Sequence, residues 1–374
     1  MVTLSVRRPT LFVVLIMMVV SHWVEEAEAE AADFGWVRQL AARTNTTALL
    51  VFGDSSVDPG NNNHLSTAFK SNFPPYGKDF FDGKPTGRFS NGRLPTDFIA
   101  EIMGFTRSVP AFLDPNLNPQ ELLHGVSFAS AASGYDDLTS NLTKALPFEK
   151  QLEYLRHYKN HLRGLVGYGG EEAIVANAIF IVSAGTNDFI QNYFLQPERA
   201  KQFTVPAYVD FLILRVTNYI KEMHRLGATK IAVVGIPPIG CMPITKTLVG
   251  TTQCDNSYNQ AAISFNSKLI FQLEFLKKQL GIRTSYIDVY GVLMEAMNNP
   301  SKYGFTETRK GCVGSGVIEI GQSCIGAMTC EDPTRYVFWD AVHPTQKMYS
   351  IIAYKAISKV AKDIFDRVQG NNIM

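Results

Sequence analysis

Hydrolysis of a carboxylic derivative by a side chain needs a nucleophile, a base within hydrogen-bond reach of it and a carboxylate that orients the base. Among the seven histidines of the chain, one stands in such a setting. Trp339-Asp340-Ala341-Val342-His343-Pro344 places a carboxylate three residues before an imidazole, just ahead of a proline expected to open the last helix. One turn at that spacing can bring Asp340 to the Nδ1 side of His343 and leave Nε2 free. The other six, His22, His64, His124, His157, His161 and His224, fall near the N-terminal apolar segment, in loops or on polar-patterned helices, and read as surface or packing residues. Small and polar residues gather at four further points: Gly53-Asp54-Ser55-Ser56, Ser130-Ala131-Ala132-Ser133-Gly134-Tyr135, Ser183-Ala184-Gly185-Thr186-Asn187-Asp188 and Gly235-Ile236-Pro237-Pro238-Ile239-Gly240-Cys241.

Each of these clusters follows a short apolar run. Residues 48–52, 125–129, 178–182, 230–234 and 283–287 read as five buried strands, and helices are expected over 147–164, 205–226, 255–281 and 345–367. The alternation predicts an α/β fold of three layers, a parallel sheet covered on both faces by helices. In such a sheet ligands bind beyond the carboxyl ends of the strands, where the four clusters lie. Residues 54–120, rich in Asn, Gly, Pro and Phe, break the rhythm and read as a long loop region with a helix near Pro95–Met103. No repeat or linker divides the chain, so one domain is expected over 30–374.

The 374 residues are 46% hydrophobic and 18% charged, with 35 Lys and Arg against 34 Asp and Glu. That balance excludes a disordered tail, a collagen-like repeat or a coiled coil, and it gives no electrostatic case for nucleic acid or an anionic membrane as partner. A small-molecule partner is expected. Arg7 and Arg8, the apolar run Leu11 to Val20 and Ala27-Glu28-Ala29 fit a signal peptide over residues 1–29, cleaved after Ala29 or two residues later after Ala31. The run is short for a bilayer span and none of the later ones is longer, so secretion without a transmembrane anchor is expected. Asn45-Thr46-Thr47 and Asn141-Leu142-Thr143 fit the N-glycan acceptor pattern. Cys241, Cys254, Cys312, Cys324 and Cys330 suit loop staples in an oxidising compartment, and none has zinc-site spacing.

Taken in order, Gly53-Asp54-Ser55 after a first strand, a glycine in the second loop, Gly185-Thr186-Asn187-Asp188 after the third strand and Asp340-x-x-His343 resemble the SGNH hydrolases. More narrowly, Gly53-Asp54-Ser55-Ser56-Val57-Asp58-Pro59-Gly60-Asn61-Asn62-Asn63, Gly87-Arg88-Phe89-Ser90-Asn91-Gly92-Arg93 and Tyr336-Val337-Phe338-Trp339-Asp340 look like the plant GDSL esterase/lipase family, over about residues 48–365. The resemblance implies a flavodoxin-like parallel sheet of about five strands and a serine esterase or lipase working through an acyl-enzyme on lipid, acyl or acetyl esters, with no cofactor or metal. It implies Ser55 as nucleophile, His343 as general base and acid, and Asp340 as the orienting carboxylate. The oxyanion hole would be the backbone N–H groups of Ser55 and Gly134 and the side-chain amide of Asn187, neutral donors that act on charge appearing only in the transition state. The chain has no Gly-x-Ser-x-Gly elbow, which argues against an ordinary α/β-hydrolase.

Asp54 reads as a loop-bracing acceptor, while Asp188 and the Gly87–Arg93 segment have no evident chemical task. Ser56 stands where the family has Leu, Ser127 where it has Asn, and Ala131-Ala132 where it has a Gly-rich pair. Val313 occupies a place where many relatives carry a second adjacent Cys. The implied disulfides are Cys241 with Cys254, and Cys312 with either Cys324 or Cys330. An acyltransferase with the same triad and a catalytically silent lipid- or wall-binding protein are the alternatives, and the intact set of five site residues argues against the silent one.

Overall fold

Strands buried on both faces need no polar alternation, and four of the apolar runs form such strands. In a computed structural model that describes residues 34–365, β1 (Leu49–Gly53), β2 (Ile179–Ser183), β3 (Lys230–Val234) and β4 (Arg283–Ile287) pair in parallel in that order. The expected signal peptide lies outside the described residues. Helix α1 (Gly35–Arg43) precedes β1, and α2 (Pro95–Met103), α3 (Asp137–Thr143) and α4 (Phe148–Asn177) follow it. Helices α5 (Pro197–Gln202) and α6 (Val205–Arg225) connect β2 to β3, and α7 (Pro243–Val249) and α8 (Asn256–Leu280) connect β3 to β4. After β4 come α9 (Val289–Asn298), a two-stranded parallel sheet of β5 (Glu307–Gly311) and β6 (Tyr336–Phe338), and α10 (Gln346–Phe365). Helices α4, α6 and α8 pack as one layer and α1, α2 and α10 as the other, giving the three-layer α/β sandwich.

The expected fifth strand, residues 125–129, is not one. This segment runs beside β1, with Val51 N–H donating to Val126 O and Phe128 N–H to Val51 O, and it forms only isolated bridges. On its outer edge Ser127 N–H donates to Pro110 O and Phe112 N–H to Ser127 O, a single bridge, and side chains take the rest. Asn61 Nδ2 donates to Ser127 O (2.9 Å) and Ala129 O (2.8 Å), Ser127 Oγ donates to Val57 O, and Asp58 Oδ2 accepts from Ala131 N–H. Counted with this segment, the spatial order is the flavodoxin-like one, with the second run outside the first. Two helix ends also differ from expectation. Helix α4 kinks at Gly167 (φ 75°) and continues to Asn177, and α10 opens at Gln346, with Thr345 Oγ1 accepting from Met348 N–H, not at Pro344.

Two disulfides staple the second half, Cys241–Cys254 and Cys312–Cys330, leaving Cys324 free and buried. Among the described residues no helix is long and apolar enough to cross a membrane. The long loop region is held by a buried ion pair: Arg88 meets Asp97 through Nε–Oδ2 and Nη2–Oδ1 contacts of 2.9 Å each, with both side chains at most 5% exposed. Asp97 also accepts from Leu94 and Val109 N–H, and Arg88 donates to Pro59 O and Val109 O, so one pair ties the loop after β1 to the start of α2. Removing one partner strands a buried charge, so Asp97→Asn is expected to lower stability by about 3–5 kcal/mol in urea unfolding. Arg88→Met/Asp97→Asn should recover part of that loss; equal loss in both would contradict the account.

Candidate active site

The turn after β1 presents Ser55. Gly53 has φ 147°, and a Cβ there would collide with Ser183 O, so the chain passes β2 only as glycine. Gln151 of α4 pairs with the Gly53 peptide, accepting from its N–H (2.9 Å) and donating to its C=O (3.0 Å). Asp54 N–H donates to Ser183 O, and Asp54 Oδ1 accepts from both the N–H and the hydroxyl of Ser56. Ser56 Oγ also lies 2.8 Å from Ser183 Oγ, so this serine ties the turn to the end of β2. Burial pushes the Asp54 carboxyl above its ordinary range despite these donors.

Strand β6 delivers the second half of the site. After it the chain closes on itself, with Trp339 N–H donating to His343 O and Thr345 N–H to Val337 O. Inside this loop Asp340 Oδ1 accepts from Val342 N–H (2.8 Å) and His343 N–H (2.6 Å). His343 Nδ1 lies 2.8 Å from Asp340 Oδ2, and His343 Nε2 lies 2.8 Å from Ser55 Oγ. A carboxylate offers no proton, so Nδ1 carries the hydrogen and Nε2 is the acceptor that faces the Ser55 hydroxyl. Asp340 is fully buried and His343 only 4% exposed. Tyr76 completes the carboxylate's shell, donating to Asp340 Oδ2 at 2.8 Å while its oxygen accepts from Gly321 N–H.

Of the three expected oxyanion donors, Ser55 and Asn187 line the same cavity as His343. Asn187 Nδ2 donates to Ser133 O (2.9 Å) and Asn187 Oδ1 accepts from Gln191 Nε2, which fixes the amide with its N–H groups on the side of the 133–134 peptide. Gly134 is buried in that neighbouring loop and does not line the cavity. Among the described residues, the N–H groups of Ser55 and Gly134 have no hydrogen-bond partner. Asp188 shapes this loop: it accepts from Tyr135 N–H, Asp136 N–H and Thr139 Oγ1, and a Cβ on Gly134 would collide with its carboxylate. Burial outweighs those donors and raises the Asp188 carboxyl to about 7, as it raises Asp58 to about 6.

The Gly87–Arg93 segment, without a task in the sequence, braces the histidine loop. The Phe89 ring packs 4.8 Å from the His343 ring, and Asn91 Oδ1 accepts from Gln346 N–H at the start of α10. Tyr76 and Gln151 were not singled out by sequence reasoning. Gln151 carried one signal, a polar residue beside the buried positions Phe148, Leu152 and Leu155 of α4; Tyr76, in a loop, carried none. The expected glycan acceptors Asn45 and Asn141 are both exposed. No group of three or more His, Cys, Asp or Glu arranged for a metal occurs among the described residues.

Residues 49–356 match the GDSL-like lipase/acylhydrolase family. The chain is 52% identical over 331 residues to GDSL esterase/lipase At5g45950 of Arabidopsis thaliana, covering 88% of this chain and 92% of that one. It is 44% identical over 336 residues to GDSL esterase/lipase At5g45960, covering 87% and 88%, and 44% identical over 311 residues to GDSL esterase/lipase At2g04570, covering 82% and 89%, both also from Arabidopsis thaliana.

The Asp188 carboxyl gives a pH test of the loop. Its value near 7 in the fold lies above the 3.8 of an unperturbed Asp, so folding takes up a proton between the two. Its contribution to stability is full below about pH 4 and is lost as pH rises through 7. The melting temperature of the wild type should therefore fall between pH 5 and pH 8 more steeply than that of Asp188→Asn, the remaining slope including Asp58 and Asp54, whose carboxyls burial also raises. Parallel curves would contradict this.

Proposed function

The chain belongs to the GDSL-like lipase/acylhydrolase family and is a carboxylic ester hydrolase, and from that premise we propose that it works through Ser55, His343 and Asp340 by way of an acyl-enzyme. The observation that carries this reading is the line of hydrogen bonds from Asp340 through His343 to Ser55, 2.8 Å at each link, at the mouth of one cavity. His343 Nε2 takes the Ser55 proton as Oγ attacks the ester carbonyl. The resulting oxyanion is met by the N–H groups of Ser55 and Gly134 and by the amide of Asn187. Collapse of the intermediate expels the alcohol, which receives the proton from His343. Water, deprotonated by the same imidazole, then attacks the acyl group on Ser55 and releases the acid. Asp340 holds the ring in the tautomer this sequence needs and stabilises the imidazolium.

In this reading the mature protein is a single secreted domain over 30–374 that has lost residues 1–29 and carries N-glycan at Asn45, Asn141 or both. The two disulfides and the exposure of both asparagines support it. The substrate is a small ester or lipid.

Ser55→Ala is expected to keep its fold, by melting temperature, and to lose at least three orders of magnitude in ester turnover, because no neighbouring group replaces the attacking oxygen. Ser56→Ala should keep its nucleophile; the reverse pattern would move the attack to Ser56. In Asn187→Ala, kcat should fall roughly 100- to 1,000-fold, about 3–4 kcal/mol, with a much smaller change in KM. Near-normal kcat with a lowered melting temperature would reduce Asn187 to a turn residue.

A further inference from the structure

The cavity at Ser55 continues past its polar mouth as a slot between the sheet and α10, with walls that include Ile181, Ile287, Leu293, Ile352, Ala353 and Ala356. Helix α10 descends beside β4 from the carboxyl edge of the sheet toward its amino edge, since Asp363 Oδ2 accepts from Ser285 Oγ and Ile364 O accepts from Arg283 Nη1, both at 2.6 Å. Tyr349 lies near the mouth and Ala356 two turns lower, so the slot runs about 10 Å along the helix at 1.5 Å per residue. Among the described residues that line it, the charged or ionisable groups besides Tyr349 are Asp54 and His343, both at the mouth. At the far end α10 offers alanine at two positions on one face, 353 and 356, where a larger side chain would fill the space.

These dimensions select a ligand. An extended chain advances about 1.1–1.2 Å per bond, a third of the residue repeat, so about 10 Å accepts eight to nine bonds. The volume agrees: the cavity of about 90 Å³ has room for roughly six to nine groups the size of a water, each needing about 10–15 Å³. Below Tyr349, whose buried hydroxyl has no hydrogen-bond partner among the described residues, the α10, β4 and α9 walls, Ile352, Ala353, Ala356, Ile287 and Leu293, provide dispersion and burial and no polar group. We propose that the slot is the acyl site, that it takes a straight saturated acyl chain of about eight to ten carbons, and that Ala353 and Ala356 form its floor. This deepens the Ser55 reading and rests on it, because the chain enters with its carbonyl at the serine.

Two measurements test it. With p-nitrophenyl esters, kcat/KM of the wild type should rise about fourfold for each methylene from butanoate to octanoate, the factor expected for burying one CH₂, and should fall again by hexadecanoate. Ala356→Leu should lower the octanoate-to-butanoate ratio of kcat/KM at least tenfold. Independently of turnover, decanoate should raise the melting temperature of both wild type and Ser55→Ala, butanoate should not, and Ala356→Leu should abolish the decanoate shift. A flat chain-length profile, a preference for hexadecanoate or no decanoate shift overturns the proposal, with or without a folded Ala356→Leu. If Ser55→Ala is inactive and decanoate has no effect, the slot assignment falls and the serine reading stands. If decanoate binds but Ser55→Ala remains active, the serine reading falls, and with it the placement of the carbonyl.

Discussion

The Asp340 carboxylate is the point on which the proposed chemistry turns. Four donors converge on it: two backbone N–H groups of its own loop, the imidazole of His343 and the phenol of Tyr76. A fully buried carboxylate is tolerable only when its lone pairs are occupied, and hydrogen bonds to an ionised group contribute about 1.5–3 kcal/mol each. The same bonds that satisfy the charge fold the loop from Trp339 to Pro344 and set the plane of the imidazole. Orientation of the base and folding of its loop are therefore one event, not two. An apolar cluster that includes Tyr76, Phe89, Cys324 and Trp339 packs beside that carboxylate.

Ser55 is held by a different device. The loop from 54 to 63 crosses the carboxyl edge of the sheet as irregular backbone, and buried irregular backbone needs partners that no strand supplies. Asp58, Asn61 and Asn62 provide them, each reaching the segment from 127 to 131 with a side chain; Asn62 Nδ2 donates to Ala131 O and its Oδ1 accepts from Ser130 Oγ. Side-chain pairing lets the loop stay bent, so that the serine faces the histidine delivered from the other end of the chain.

This division explains what the sequence reveals. Strands β1 to β4 start within one residue of the apolar runs because burial on both faces leaves an unbroken signature, and the Asp340–His343 spacing is legible because its geometry is local. Residues 125–129 carry the same apolar signature, yet on their outer side they meet only a single bridge from residues 110–112 and the side chain of Asn61, more than sixty residues earlier, which periodicity cannot register. Asp188 and the Gly87–Arg93 segment are silent for the same reason: their partners, the 134–136 backbone and the His343 loop, are distant in sequence. Of the cysteines, Cys312 closes on Cys330, and Cys324 is left beside Tyr76, a choice that depends on the packing of a loop and not on spacing.

The loop that carries Gly134 shows what presenting a free backbone N–H demands. Ala132 sits at φ 68°, a left-handed conformation that costs an L-residue about 1–2 kcal/mol. Such a conformation persists only when its surroundings over-determine it, and here they do. Ala131 N–H is held by Asp58, Ser133 N–H and Oγ by Ser130 O and Gly53 O, and Ala132 O by Thr143 Oγ1. With these groups engaged, the turn leaves the N–H groups of Ala132 and Gly134 without a partner, the latter next to the peptide that fixes Asn187. Strain in this loop thus has a geometric product, a donor set in place before any oxyanion exists, and that is the condition under which such a donor stabilises a transition state without reorganisation.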